Sequence, residues 1–264
     1  MELQLNDRHV LVTGGSKGIG LACAEAFLAE GARVSLVARS ATTLQQAQAT
    51  LTGRRAGARV QVLAADLCDA SAALAALDAA EAAFGPVDVL VNSAGAAKRT
   101  PAPELTPQAW RDAMQAKYFS TIHMLDPAIR RMGARGRGAI VNVIGNGGKV
   151  ASPIHLPGGA ANAALMLATA GLAAAYGPQG VRVNAVNPGL TLTDRLQEGL
   201  ATDARNQGIA VDEAMQRAVA RIPLGRLAEP AEIARAVVFL ASDAASYITG
   251  VSISMDGAAT PLVV

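Results

Sequence analysis

The glycines of residues 10–20, VLVTGGSKGIG, have the type and spacing that bind a phosphate group. The short apolar run before them is typical of a buried strand, and residues 21–30 after them have a helical pattern. Glycine lets the backbone approach an anion closely, and the N–H groups of the first helical turn point at it. Strand, glycine turn and helix in this order predict a dinucleotide site. Its expected binding residues are Gly14, Ser16, Lys17, Gly18, Ile19 and Gly20.

The end of the second predicted strand indicates which dinucleotide binds. An acidic residue there would bind the ribose hydroxyls of NAD, whereas a basic residue accommodates the 2′-phosphate of NADP. Here the strand at 33–38 is followed by Arg39 and Ser40, and Lys17 adds a second cation in the glycine loop. Because a guanidinium pairs well with phosphate, we expect NADP(H) to be favoured over NAD(H). Ordinary surface cations would give the same pattern.

Strand and helix patterns alternate along the whole chain. Further strands are expected at 60–64, 87–91, 139–144, 181–186 and 251–255, and helices at 44–51, 70–84, 108–132, 160–176 and 230–241. An irregular glycine-rich stretch is expected at 145–159, and a mobile, lid-like helical excursion at about 190–221. Regular alternation predicts an α/β, doubly wound parallel sheet, a Rossmann fold, with its ligand crevice at the carboxyl ends of the strands. Without a repeat or linker, residues 1–264 are expected to form a single domain.

Composition narrows the functional classes. The chain is 51% hydrophobic but only 3% aromatic, which suits a parallel sheet buried by alanine-rich helices. The net charge of +2 is spread along the chain, so we expect no nucleic-acid partner. The two cysteines, Cys23 and Cys68, have neither metal nor disulfide spacing, so no metal is expected and a reducing compartment is indicated. With no signal peptide and no stretch approaching a membrane span, we expect a cytoplasmic protein.

Motifs along most of the chain occur in the order and spacing of one enzyme family. They are TGGSKGIG at 13–20, NSAG at 92–95, VRVNAVNPGLTLT at 181–193, IPLGRLAEPAEIA at 222–234 and YITGVSISMDG at 247–257. The sequence is similar to the short-chain dehydrogenase/reductase family over essentially its whole length, and resembles its 3-oxoacyl-ACP-reductase-like members. The resemblance implies a nicotinamide cofactor and a small-molecule alcohol or carbonyl substrate. It also implies a homo-oligomer, a tetramer or dimer, with apolar surface on the helix at 160–176.

The same resemblance assigns roles to residues around the cofactor. It implies that Asp66, followed by Leu67, reaches the adenine ring and that Asn92 braces a strand beside the cofactor. The main chain at Ala94 and Gly95 would lie along the ribose. The nicotinamide end would be bound by Pro188, Gly189, Thr191 and Thr193.

The resemblance breaks at the catalytic positions. Family members use a serine, a tyrosine and a lysine, with an asparagine on the long helix. Those positions fall here on Gly145, Gly158, Asn162 and Lys117, respectively. A positioned acid or base contributes about 10²–10⁴-fold to rate, and the two glycines offer no side-chain donor. They would also leave extra room above the nicotinamide.

Lys117 and Asn162 invite a specific hypothesis. If their positions face each other, an ammonium and an amide have traded places, so that Lys117 holds the ribose and Asn162 takes the hydrogen-bonding role. Two unrelated substitutions after loss of catalysis would give the same residues. His155, three residues before Gly158, is a third candidate because histidine titrates near neutral pH, although a lone loop histidine is often only exposed.

Three functions remain open at this point. The first is an atypical NADP(H)-dependent oxidoreductase that uses Lys117, His155 or water in place of the tyrosine. The second is a catalytically silent NADP(H)-binding sensor or scaffold. The third is a non-redox lyase or isomerase on the same fold, which would not need the intact cofactor motifs. Family membership favours the first, but the sequence does not name the substrate.

Overall fold

Within residues 2–95 and 97–262, which the computed structural model describes, seven strands form one sheet. They are β1 (His9–Thr13), β2 (Arg33–Ala38), β3 (Arg59–Ala64), β4 (Val89–Asn92), β5 (Gly138–Val143), β6 (Val181–Pro188) and β7 (Ser252–Met255). All neighbours are parallel, in the order β3-β2-β1-β4-β5-β6-β7. The order reverses between β1 and β4, which opens a crevice at the carboxyl ends of these two strands.

Helices cover both faces of this sheet. They are α1 (Gly18–Ala29), α2 (Ala41–Arg54), α3 (Ala70–Phe84), α4 (Pro107–Ala113), α5 (Ser120–Ala134), α6 (Leu156–Tyr176), α7 (Asp194–Gln207), α8 (Val211–Val219) and α9 (Pro230–Ala241). Successive β1 residues serve opposite layers, because strand side chains alternate between faces. Val10 and Val12 pack into the core that α1 and α9 cover, and Leu11 into the core that α3 and α5 cover. The predicted Rossmann fold is therefore confirmed.

Two predicted elements differ from the observed ones in ways that change the candidate site. The stretch expected to be irregular up to residue 159 already becomes helical at Leu156, so Gly158 and Gly159 lie in the first turn of α6. Pro157 suits that turn, because proline lacks only an N–H that has no partner there. The long helix expected at 108–132 contains a π-helical segment, Met114–Phe119, between α4 and α5. Such an insertion does not change the apolar pattern enough to be read from sequence.

The prediction that no stretch approaches the length of a membrane span was wrong. Residues Leu156–Gln179, with a mean hydropathy of 1.3, are long enough and apolar enough to cross a membrane by length and composition. Core helices of α/β proteins meet the same criteria of length and hydropathy. In this structure α6 packs against β6 and the π-helical segment. The excursion at about 190–221 is helical as expected, since it contains α7 and α8.

Candidate active site

The glycine turn after β1 forms an anion cradle at the start of α1. Gly14 has φ +66°, and a β-carbon there would lie 2.8 Å from the carbonyl oxygen of Ser93, so only glycine fits. Lys17 is the N-cap residue that precedes α1, and its side chain makes no capping hydrogen bond. The first turn of α1, as described, holds no acidic residue. The first N–H groups are thus left for an anion. These features fit the pyrophosphate of a dinucleotide.

The cradle faces the end of β6 across the crevice. A β-carbon on Gly18, where φ is +57°, would lie 3.4 Å from Cγ2 of Thr193. Thr193 caps α7 by accepting a hydrogen bond from the N–H of Leu196 at 3.3 Å. Thr191 is buried and donates to the carbonyl oxygen of Gly189 at 3.3 Å. The structure thus places Thr193 beside the glycine loop, and Pro188, Gly189 and Thr191 on the segment that leads to it from β6.

The ends of β2 and β3 form the side of the crevice where the resemblance predicts the adenosine. Arg39 follows β2 and is exposed. Burial and Asp66 raise the pKa of the nearby Cys68 thiol, and the charge of Arg39 offsets part of this rise. Asp66 accepts a hydrogen bond from the N–H of Cys68 at 3.0 Å, which fixes the turn that Leu67 anchors in the core. Ser40 has a structural role, because its Oγ accepts a hydrogen bond from the N–H of Thr43 and so caps α2.

A buried polar chain ties together the strands that carry the crevice. Asn92 donates to Oδ1 of Asn142 at 2.9 Å, and Asn142 donates to Thr169 of α6 at 3.0 Å. At the other end, Oγ1 of Thr13 accepts the N–H of Ala94 at 3.2 Å. Asn92 is therefore a brace that spans β4 and β5 and sets where residues 93–95 leave the sheet. Sequence analysis did not select Thr13, although its place at the end of β1 was a usable signal.

Lys117 lies beside Gly95 on the π-helical segment. A β-carbon on Gly95, whose φ is +128°, would stand 3.4 Å from the Cα of Lys117 and 3.7 Å from its Cγ. Burial, followed by repulsion from Arg195, lowers the pKa of the Lys117 amine to about 8. An amine with this pKa exchanges a proton readily near neutral pH. The π-helical segment therefore presents a titratable cation at the carboxyl end of β4.

His155 immediately precedes α6 and turns its ring towards Gly158. A β-carbon on Gly158 would overlap Cε1 and Nε2 of the ring and would lie 3.0 Å from Cβ of Ala97. The extra room that the two glycines were expected to leave above the nicotinamide is absent at Gly158, because the imidazole fills it. Burial, then the charges of Lys117, Arg99 and Arg195, lower the pKa of His155 to about 4. The ring is neutral at pH 7, and its buried Nδ1 has no hydrogen-bond partner among the described residues.

Asn162 is only 2% exposed and faces Gly145. Its Nδ2 donates to the carbonyl oxygen of Gly145 at 2.9 Å, and lies 3.3 Å from where a β-carbon on that glycine would stand. In the described part of the chain, its Oδ1 accepts no hydrogen bond. The π-helical segment and α6 pack together, so Lys117 and Asn162 lie on adjoining helices. Within the described part of the chain, no hydrogen bond joins their side chains.

Arg195 is a site residue that the sequence analysis missed. It lies in the first turn of α7 and donates from Nη1 to the carbonyl oxygen of Gly95 at 3.1 Å. Its position two residues after Thr193 was the available signal. By contrast, His9 and His123 are structural, as His9 bonds to Gly85 and Ser35, and His123 bonds to the carbonyl oxygen of Leu67.

Comparison with known proteins agrees with this geometry. A family model described as Enoyl-(Acyl carrier protein) reductase matches residues 14–260. D-threitol dehydrogenase of Mycolicibacterium smegmatis is 37% identical over 262 residues, covering 98% of this chain and 95% of that protein.

Two solved structures are similar over nearly their whole length. One is L-sorbose reductase from Gluconobacter frateurii complexed with NADPH and L-sorbose, with TM-score 0.93, 29% identity and all of both chains covered. The other is an NADPH-bound short chain oxidoreductase from Pseudomonas aeruginosa PAO1 containing an atypical catalytic center. It has TM-score 0.88 and 34% identity, with 97% of this chain and 98% of that chain covered. This chain therefore belongs to the short-chain dehydrogenase/reductase family of NAD(P)-dependent oxidoreductases.

Proposed function

We propose that this chain is an NADP(H)-dependent oxidoreductase that acts on a carbonyl or alcohol without the serine, tyrosine and lysine set of its family. The observation that carries the proposal is the half-buried Lys117 beside Gly95, whose amine has a pKa of about 8. A group with this pKa can both give and take a proton at neutral pH, as the missing phenol would. The similar Pseudomonas aeruginosa protein with an atypical catalytic center supports the idea that the fold tolerates other machinery.

Each polar group has a distinct task in this proposal. The nicotinamide, when bound, supplies or accepts the hydride. Lys117 binds the ribose and gives a proton to the substrate oxygen in reduction, or takes it back in oxidation. We expect His155, which is neutral at pH 7, to accept a hydrogen bond through the ring nitrogen that carries no proton. Asn162 offers its Oδ1 to a hydroxyl group while its amide holds the carbonyl of Gly145.

NADP(H) is the proposed cofactor rather than NAD(H). Arg39 stands exposed after β2, and Lys17 stands exposed at the start of α1. No ion pair with a described carboxylate neutralises either cation, so both are available for a 2′-phosphate. The L-sorbose reductase and the Pseudomonas aeruginosa protein were both solved with NADPH, which supports the same choice. We expect the remaining residues of the glycine turn, Ser16, Ile19 and Gly20, to contact the pyrophosphate.

A cytoplasmic homo-oligomer, a tetramer or dimer, completes the proposal. Leu167 on α6 is 77% exposed, and Trp110 and Phe119 are exposed beside a groove of about 430 Å³. Apolar surface of this kind on long helices is what a self-complementary interface between copies would cover. Light scattering of the purified protein tests the oligomeric state.

A catalytically silent NADP(H) sensor is the second candidate. It is favoured by the absence of any side chain at Gly145 and Gly158, where the family carries its serine and tyrosine. Titration with NADPH and NADH, followed by stopped-flow detection of cofactor oxidation against a panel of carbonyl compounds, separates the two. NADPH oxidation by any carbonyl supports the oxidoreductase. Tight NADPH binding without turnover supports the sensor, and activity that needs no nucleotide supports a lyase or isomerase.

A further inference from the structure

Two cations adjoin Gly95 at the carboxyl end of β4. Arg195 donates from Nη1 to the carbonyl oxygen of Gly95 at 3.1 Å. Lys117 approaches the Cα of the same glycine, with its own Cα 3.4 Å from where a β-carbon would stand. Neither cation pairs with a carboxylate of residues 2–95 or 97–262 whose side chain is described. This strand end therefore concentrates positive charge next to the groups proposed to move the proton.

The loop that carries Arg99 lies close enough for its charge to act on Arg195 and His155. The N–H of Thr100 donates to the carbonyl oxygen of Ile154 at 3.0 Å, which joins the loop carrying Arg99 to the loop carrying His155. Burial is the main cause that lowers the pKa values of Lys117, His155 and Arg195. Repulsion among these groups and Arg99 lowers them further, and Glu198 offsets only part of this for Arg195. Arg195 keeps some solvent exposure, so a ligand can reach its guanidinium.

We propose that the substrate carries an anionic group, such as a carboxylate or phosphate, which binds the guanidinium of Arg195 beside Gly95. Lys117 lies beside the same glycine, and its charge interacts with that of Arg195. A bound anion would offset the repulsion between these partly desolvated cations. A guanidinium can bind such an anion through two parallel N–H hydrogen bonds. The inference rests on the proposed oxidoreductase function, because it places the anion next to the carbonyl to be reduced. It narrows the substrate to carbonyl acids or phosphates and their hydroxy counterparts.

The test compares acetoacetate with its neutral analogue acetoacetamide as probes. Both are titrated into the NADP⁺-saturated protein by calorimetry, in the wild type, in Arg195→Gln and in Arg205→Gln. Arg205 is the matched control, because it is an exposed arginine on the same helix whose side chain bonds only to Thr202 among the described residues. We expect the wild type and Arg205→Gln to bind the anion at least about tenfold more tightly than the amide, as charge-assisted bonds do. Arg195→Gln should lose that preference.

Three outcomes would overturn the inference. Equal or absent binding of the two probes by the wild type would show that no anion is recognised. A preserved preference in Arg195→Gln would show that this guanidinium is not the binding group. A loss of about tenfold or more in NADPH affinity in Arg195→Gln, without loss of the probe preference, would assign the charge to a cofactor phosphate instead. None of these outcomes removes the oxidoreductase proposal, which fails separately if the wild type binds no NADPH or oxidises none.

Discussion

The imidazole of His155 occupies the space that any side chain on Gly158 would enter. A β-carbon at position 158 would overlap the ring and press against Ala97. A tyrosine at position 158 and His155 in its present place therefore exclude each other. Gly158 suits this position, because it lies in the first turn of α6 and the ring of His155, the residue just before that helix, packs over it.

Restoring a tyrosine should consequently destabilise the protein. Gly158→Tyr forces the His155 ring from its site, and overpacking of this kind costs about 1–3 kcal/mol of the free energy of unfolding. The double variant His155→Ala/Gly158→Tyr should recover a large part of that loss, because the two sites are in contact. Urea denaturation of the single and double variants measures both effects. A Gly158→Tyr protein as stable as the wild type would show that the ring moves away freely.

Gly171→Ala is the matched control for that experiment. Gly171 lies in the same helix, and a β-carbon there would meet nothing within 4 Å of the described structure. Alanine restricts the unfolded chain more than glycine does, so this variant should gain about 0.5–1 kcal/mol. A loss of stability would mean that α6 tolerates no substitution, and the Gly158→Tyr result would then not report on His155.

The rate of reduction should depend on pH through Lys117. Its ammonium form is the proton donor, and the folded-state pKa is about 8. Carbonyl reduction at saturating NADPH should therefore be constant below pH 8 and fall above it, whereas alcohol oxidation should rise towards pH 8. Lys117→Arg keeps a cation that does not titrate, so its residual rate should lack this transition. A wild-type profile without a change near pH 8 would contradict the role of Lys117.

Lys117 should also lower the free energy of unfolding near neutral pH. The pKa of Lys117 is lowered on folding, so the unfolded chain binds more protons between pH 8 and the ordinary lysine value. Stability should rise with pH across that window, and Lys117→Met should be more stable than the wild type at pH 7 by about 1 kcal/mol or more. Thermal denaturation at two pH values on either side of 8 checks both. A variant less stable than the wild type would show that the ammonium is well paired.

The fold could be predicted because its signals are local and repeated. Glycine spacing after β1, apolar runs and stop signals such as Gly85 placed all seven strands within two residues of their positions. The start of α6 was missed because two glycines read as irregular chain, although Pro157 was a usable signal. The meeting of Arg195 with Gly95, a hundred positions apart, depends on the crevice itself and has no local signature.

Cofactor preference should follow Arg39. Arg39→Gln removes the charge proposed to bind the 2′-phosphate, so NADPH affinity should fall about tenfold while NADH affinity stays within about twofold. Fluorescence titration with each nucleotide measures this directly. Arg111→Gln, an exposed arginine on α4, is the control and should leave both affinities unchanged. If Arg39→Gln weakened both nucleotides equally, the residue would not be selecting between them.

The buried chain between β4 and α6 should matter for stability and for the cofactor. Asn142→Ala leaves the Nδ2 of Asn92 and the side chain of Thr169 without their partner. An unsatisfied buried donor costs about 1–3 kcal/mol, so the midpoint of urea unfolding should fall accordingly. Because Asn92 sets where residues 93–95 leave the sheet, NADPH should also bind more weakly. Unchanged NADPH affinity would show that this hydrogen-bond network stabilises the fold but does not affect cofactor binding.

The most direct measurement is single-turnover oxidation of NADPH by wild type and Lys117→Met, at NADPH saturation and against the same carbonyl panel. Lys149→Met is the control, because that ammonium bonds to Ser252 and Ser254 on β7 instead. We predict oxidation by the wild type and by Lys149→Met, and a rate about 10²–10⁴-fold lower in Lys117→Met. An unchanged rate in Lys117→Met, or NADPH that binds the wild type tightly and is never oxidised, would contradict a lysine in place of the tyrosine.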